Sequence, residues 1–69
     1  MPVFTFYLHE SRDATPSFEI ALLDDLSFAM EHGKRILKER PRYSFVEIVA
    51  EDAKVAELTR DALEEDQPL

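Results

Sequence analysis

The sequence predicts a small α+β domain, in which one long helix packs on a face of an antiparallel sheet of three to four strands. Segments 2–9 (PVFTFYLH) and 42–49 (RYSFVEIV) are rich in aromatic and β-branched residues, which is typical of strands. Segment 24–41 has a start signal, one apolar stripe and a proline stop, which indicates a helix. We expect one domain over residues 1–69, with a frayed tail over 64–69.

The first two strands are predicted from alternation. In the first strand, Val3, Thr5 and Tyr7 lie on one face and Phe4, Phe6 and Leu8 on the other, so both faces are largely apolar. Segment 9–17 (HESRDATPS) is polar and ends in Pro-Ser, which favours a turn or loop. Segment 18–23 (FEIALL) then fits a short antiparallel strand.

The helix is predicted to begin at Asp24 and to end before Pro41. Asp24 is the expected N-cap, which would place Leu23 and Phe28 in a hydrophobic staple. Gly33 lies on the apolar stripe, where glycine costs ~1 kcal/mol relative to alanine, so we expect a close approach to the sheet there. The stripe consists of Leu26, Ala29, Met30, Gly33, Ile36 and Leu37.

The third strand is expected over 43–50, and the segment after it is ambiguous. Residues 55–59 could pair back as a fourth strand. Alternatively, Asp52 could cap a helix over 52–65 with Val55, Leu58, Ala62 and Leu63 along one side. Composition favours the helix, because no glycine is available to close a two-residue turn.

Three segments resemble a family of short alphaproteobacterial proteins: the opening MPVFTFYLH, the D-L-x-x-A of residues 25–29, and VEIVAED at 46–52. The family pattern runs M-P-x-[YF]-x-F-H, then E-L-P-D-L-x-x-A, then I-E-V-x-D-E-D-G. The function of this family is unknown, so the resemblance implies a ββαββ-like fold and indicates no particular activity. It covers nearly the whole chain, but Ala53 replaces the glycine that closes the last hairpin in the family, and ATPSF replaces an acidic, glycine-containing segment.

Charge and composition restrict the classes of partner. The net charge of −7 repels phosphate backbones, so we expect no nucleic-acid partner. The absence of cysteine excludes disulfides and thiolate metal sites. We see no signal peptide and no apolar run of ~20 residues, so we expect no membrane partner and a cytoplasmic protein.

Catalytic and metal-binding residues are hard to find in this chain. His9-Glu10 and Glu31-His32 pair imidazole with carboxylate, but their spacing matches no metal motif, and we assign no metal, cofactor or catalytic residue. The serines lie beside strand ends or helix caps, where they have ordinary structural roles. The sequence therefore favours a protein that is not an enzyme, with a small enzyme or metal-binding protein as the alternative.

The leading functional hypothesis is a protein-interaction module that forms a homodimer or binds one protein partner. One helix covers one face of a sheet, and the other face would expose the candidate interaction surface Val3, Tyr7, Phe45 and Val49, or the side chains that alternate with them. If residues 52–65 form a second helix, that helix could cover this face and leave a monomer. A second candidate is a basic patch at the end of the helix, formed by Lys34, Arg35, Lys38, Arg40 and Arg42. An alternative is an antitoxin-like or adaptor domain that neutralises a basic protein partner.

Overall fold

The structure, a computed structural model, describes residues 2–60 and confirms the predicted α+β fold. The elements follow in the order ββαββ, and the predicted frayed tail over 64–69 lies outside the described residues. Their bounds are β1 Val3–His9, β2 Ser17–Leu22, α1 Leu26–Glu39, β3 Phe45–Ala50 and β4 Ala53–Thr59.

The four strands form one sheet in the order β2-β1-β3-β4, and all neighbouring strands are antiparallel. The first strand is therefore central, with β2 on one side and β3 on the other. Thr5 is opposite Ile20 of β2 and also opposite Val49 of β3. Among the described strands, β2 and β4 are the two edges.

The core lies between α1 and one face of the sheet. Phe6, Leu37, Val46 and Ile48 have no accessible surface, as expected for two layers that pack closely. The helical stripe is buried at Ala29, Gly33, Ile36 and Leu37, whereas Met30 is partly buried and Leu26 is 39% exposed. From the strands, the core also takes Phe4, Leu8 and Leu58.

The helix begins one residue later than predicted, because Asp25 and not Asp24 is the N-cap. The Asp25 backbone is extended, and its Oδ1 accepts a hydrogen bond from the Phe28 amide at 3.2 Å. With Asp25 as the N-cap, Leu23 and Phe28 no longer lie at the two positions that form a hydrophobic staple, so the predicted staple is absent. Phe28 is 55% exposed. Within residues 2–60, no helix has the length and apolar character needed to cross a membrane.

The segment after β3 is a strand, so the helical alternative for it is wrong over 53–59. A two-residue turn at Glu51 and Asp52 joins β3 to β4, and both residues have positive φ angles, 53° and 65°. This is the backbone of a hairpin turn that usually contains glycine. Leu58 is buried against the helix beside Gly33, and we infer that this packing outweighs local helix propensity.

Candidate interaction surface

The sheet face that points away from α1 has an apolar half over β1 and β2. The five exposed apolar side chains there, which we call the apolar patch, are Val3, Tyr7, Phe18, Ile20 and Leu22. The three β2 members are the most exposed, at 61–64%. They lie on the open face because they are opposite Val3, Thr5 and Tyr7, which alternate with the buried side chains of β1. None of the five side chains is charged.

The other half of the open face, over β3 and β4, is charged. We call His9, Arg12, Glu47, Lys54 and Glu57 the charged cluster. Glu47 and Glu57 are opposite each other, and Lys54 Nζ lies 3.2 Å from Glu47 Oε2 and 2.7 Å from Glu57 Oε1. Lys54 thereby bridges two like charges that would otherwise destabilise the strand pair.

His9 and Arg12 complete the charged cluster. His9 Nε2 lies 2.6 Å from Glu47 Oε1, and neither ring nitrogen of His9 has a hydrogen-bond partner among the described residues. Arg12 Nη2 is 3.6 Å from Glu57 Oε2. Arg12 and Lys54 therefore both lie beside carboxylates of the same chain.

Two groups of the cluster have shifted pKa values. The hydrogen bond from Lys54 lowers the pKa of Glu57 below its usual value of 4.5. Hydrogen bonds to Glu57 and Glu47 raise the pKa of Lys54 above 10.5. Both shifts favour the charged forms of Lys54 and Glu57, so this pair stays ionised near neutral pH.

The structure divides the interaction surface predicted from sequence. Val3 and Tyr7 are exposed at 49% and 36% and belong to the apolar patch, and Val49 is partly buried beside it. Phe45 is only 6% exposed, because the His9 ring stacks on it at 4.2 Å and the Arg12 guanidinium lies 4.7 Å from its ring centre. Phe45 therefore offers almost no surface to a partner.

Sequence reasoning did not assign the three most exposed members of the patch, Phe18, Ile20 and Leu22, to the candidate surface. Their alternation with Glu19 and Ala21 indicated a strand, but the sequence did not show that this strand is an edge. Only the strand order reveals that these side chains have a neighbouring strand on one side alone.

The predicted basic patch is interrupted by acidic partners. Arg40 Nη1 is 2.6 Å from Glu19 Oε2, and Lys34 Nζ is 3.9 Å from Glu31 Oε1. Lys38 is in the last helical turn, where a cation suits the helix dipole. Arg35 lines a shallow depression with Lys34 and Lys38, and Glu31 and Glu39 line it too. Arg42 extends over the Tyr43 ring.

The two histidines contact residues other than the neighbouring carboxylates with which the sequence paired them. His9 contacts Glu47 rather than Glu10, and the His32 ring packs on Phe6 with 4.8 Å between ring centres. Residues 2–60 contain no group of three histidine, aspartate or glutamate side chains that could hold a metal ion. The apolar patch is therefore the surface feature on which a functional argument can be built.

Comparisons with protein-family models, with curated proteins and with solved structures give no match to this chain.

Proposed function

We propose that this chain is a protein-interaction module that forms a homodimer through the apolar patch. One observation carries the proposal: Phe18, Ile20 and Leu22 are each more than 60% exposed on the same face of one strand. Isolated exposed apolar side chains are ordinary, but a contiguous group marks a surface that binds something.

The size of the patch fits an interface. With typical side-chain areas and the observed exposed fractions, the patch presents roughly 500 Å². That is about a tenth of the 4925 Å² accessible surface, which is the share that one partner commonly buries in a stable complex. Two patches together present roughly 1,000 Å², which is about the minimum expected of a biological interface and less than the ~1,200 Å² at which the standard range begins.

The absence of charged side chains from the patch favours a second copy over a basic partner as the occupant. Each copy carries −7, so two copies repel at long range, but no acidic side chain belongs to the patch itself. A basic partner, the alternative suggested by net charge, would find no carboxylate in the patch to pair with. We therefore expect an apolar contact between copies that strengthens as added salt screens the remaining charges.

Sedimentation or light scattering at micromolar concentration tests the proposal. The wild-type protein should have the mass of a dimer, and Ile20→Lys should be a folded monomer, because it places two like charges at the contact between the copies. Val55→Lys is the matched control, since Val55 is 41% exposed on the opposite edge strand, and this variant should remain a dimer.

Two results would contradict the proposal. One is a monomeric mass for the unchanged protein throughout the micromolar range. The other is equal loss of the dimer in both lysine variants, which would show that added charge, rather than the patch, controls association. Circular dichroism of each variant establishes that the fold is retained.

A further inference from the structure

The edge of the sheet at β2 has backbone groups directed outwards at the same residues that carry the exposed side chains. The Leu23 amide donates to the Pro2 carbonyl at 3.2 Å, so residues 2 and 23 form a hydrogen-bonded pair. Hydrogen-bonded pairs alternate along an antiparallel ladder, which places residues 21, 19 and 17 in the same class. The N–H and C=O groups of Phe18, Ile20 and Leu22 consequently point away from β1, towards an edge that no other strand within residues 2–60 covers.

The two edges of the sheet differ in how they resist pairing with another chain. The β4 edge has an irregular register beside Ile48, where Val55 has no single partner, and it carries Lys54 and Glu57. Bulges and charged side chains are the usual means by which edge strands avoid association. By contrast, β2 pairs with β1 without interruption and has one charged residue, Glu19, on the helix side.

We propose that two copies join edge to edge through β2, antiparallel, about a two-fold axis at Ile20. This inference rests on the self-association proposed above and specifies its geometry. Ile20 would be opposite the partner's Ile20, and Phe18 opposite the partner's Leu22. These pairings bring together the residues whose backbone groups point outwards. Each outward N–H group can therefore donate a hydrogen bond to an outward C=O group of the partner strand.

Charge selects this register over its neighbours. Glu19 is opposite the partner's Ala21, and the small alanine leaves room for the Glu19 carboxylate and the Arg40 guanidinium that pairs with it. If the partner strand slides by two residues in one direction, which again pairs outward-pointing residues, Glu19 lies opposite the partner's Glu19. Like charges directly opposite each other are destabilising. A shift in the other direction places Phe18 opposite the partner's Asp24.

The paired strands would make one eight-stranded sheet. The two apolar patches would meet at its centre, where Phe18 packs beside the partner's Leu22, and the charged clusters would lie towards its two ends. The helices would lie on the same face of this sheet.

Cysteine cross-linking tests the geometry, because the natural chain contains no cysteine. Two Cα atoms in a hydrogen-bonded antiparallel pair are ~5.5 Å apart, within the ~4.4–6.8 Å range of a disulfide. Under mild oxidation, Ile20→Cys should therefore give a covalent dimer on a denaturing gel. Thr5→Cys is the control: it lies on the same face one strand further in, so the two Thr5 positions are ~14 Å apart in the proposed sheet, and no bridge should form.

A second set of variants tests the register. Residue 18 and the partner's residue 18 are ~13 Å apart along the strands, so neither Phe18→Cys nor Leu22→Cys alone should cross-link. The double variant Phe18→Cys/Leu22→Cys should cross-link, because each cysteine then lies opposite one in the partner.

The outcomes separate the geometry from the self-association on which it rests. Suppose that the wild-type protein has a dimeric mass, but Thr5→Cys forms a bridge or Ile20→Cys forms none. The two sheets would then stack face to face. This outcome overturns edge pairing and leaves the self-association standing. A bridge through Val55→Cys would place the interface at β4 and also overturn it. A monomeric mass for the unchanged protein would overturn both proposals.

Discussion

Gly33 offers the sharpest test of how the helix packs on the sheet. It is buried in α1, and a Cβ atom added to it would lie 2.7 Å from Leu58 Cδ1 and 3.6 Å from Ile48 Cδ1. The second distance is an ordinary contact, but the first is shorter than carbon atoms tolerate. Gly33→Ala should therefore force the Leu58 methyl group to move by ~1 Å to regain a normal contact.

Two opposing terms set the magnitude. Alanine is favoured over glycine inside a helix by ~1 kcal/mol. Inserting a methyl group into a packed core costs ~1–3 kcal/mol. The difference predicts that Gly33→Ala lowers the free energy of unfolding by up to ~2 kcal/mol, despite its better helix propensity.

The sign should reverse when the obstructing side chain is removed. Leu58→Ala alone should cost ~2–5 kcal/mol, because it leaves a cavity between β4 and the helix. In that background, Gly33→Ala meets no methyl group, so its helix propensity should increase stability by ~1 kcal/mol. The double-mutant cycle should thus show a coupling of ~1–3 kcal/mol between the two positions.

Equilibrium urea unfolding of the four proteins measures this coupling. All four must be compared at one protein concentration, because a dimer makes apparent stability depend on concentration. If Gly33→Ala stabilises both backgrounds equally, then Leu58 does not press on Gly33 and the helix–sheet contact described above is wrong. A changed slope against urea would indicate instead that the variants differ in compactness.

Three further predictions concern the core, the helix cap and the charged cluster. Leu37→Ala should lower the free energy of unfolding by ~2–5 kcal/mol, because the side chain is fully buried, and an unchanged urea midpoint would refute this. Asp25→Ala should cost ~0.5–2 kcal/mol by removing the N-cap acceptor, whereas Asp24→Ala, as the control, should cost much less in the same assay. The lowered pKa of Glu57 contributes stability that is present above pH 4.5 and is lost as the pH falls through the lowered value. Lys54→Met should therefore make the free energy of unfolding depend less on pH in the acid range. If the pH dependence keeps its shape, Lys54 does not hold this carboxylate.

Local sequence patterns predict the order and type of the first four elements. In β1, apolar residues occur on both faces, and in α1 the stripe through Ala29, Gly33 and Leu37 recurs at helical spacing. These patterns are local, because each depends on side chains within one segment. The same is true of the proline stop after the helix, and for this reason the helical boundaries were predicted to within two residues.

The fourth strand and the composition of the exposed surface depend on contacts between segments that are distant in the chain. Residues 53–59 have a composition that suits a helix, and a strand forms there with Leu58 buried against α1 and a turn in which Glu51 and Asp52 adopt positive φ. Burial of Phe45 and exposure of Phe18 likewise depend on which strands are neighbours. Strand order is a property of contacts between distant segments, so hydrophobic periodicity within a segment does not encode it.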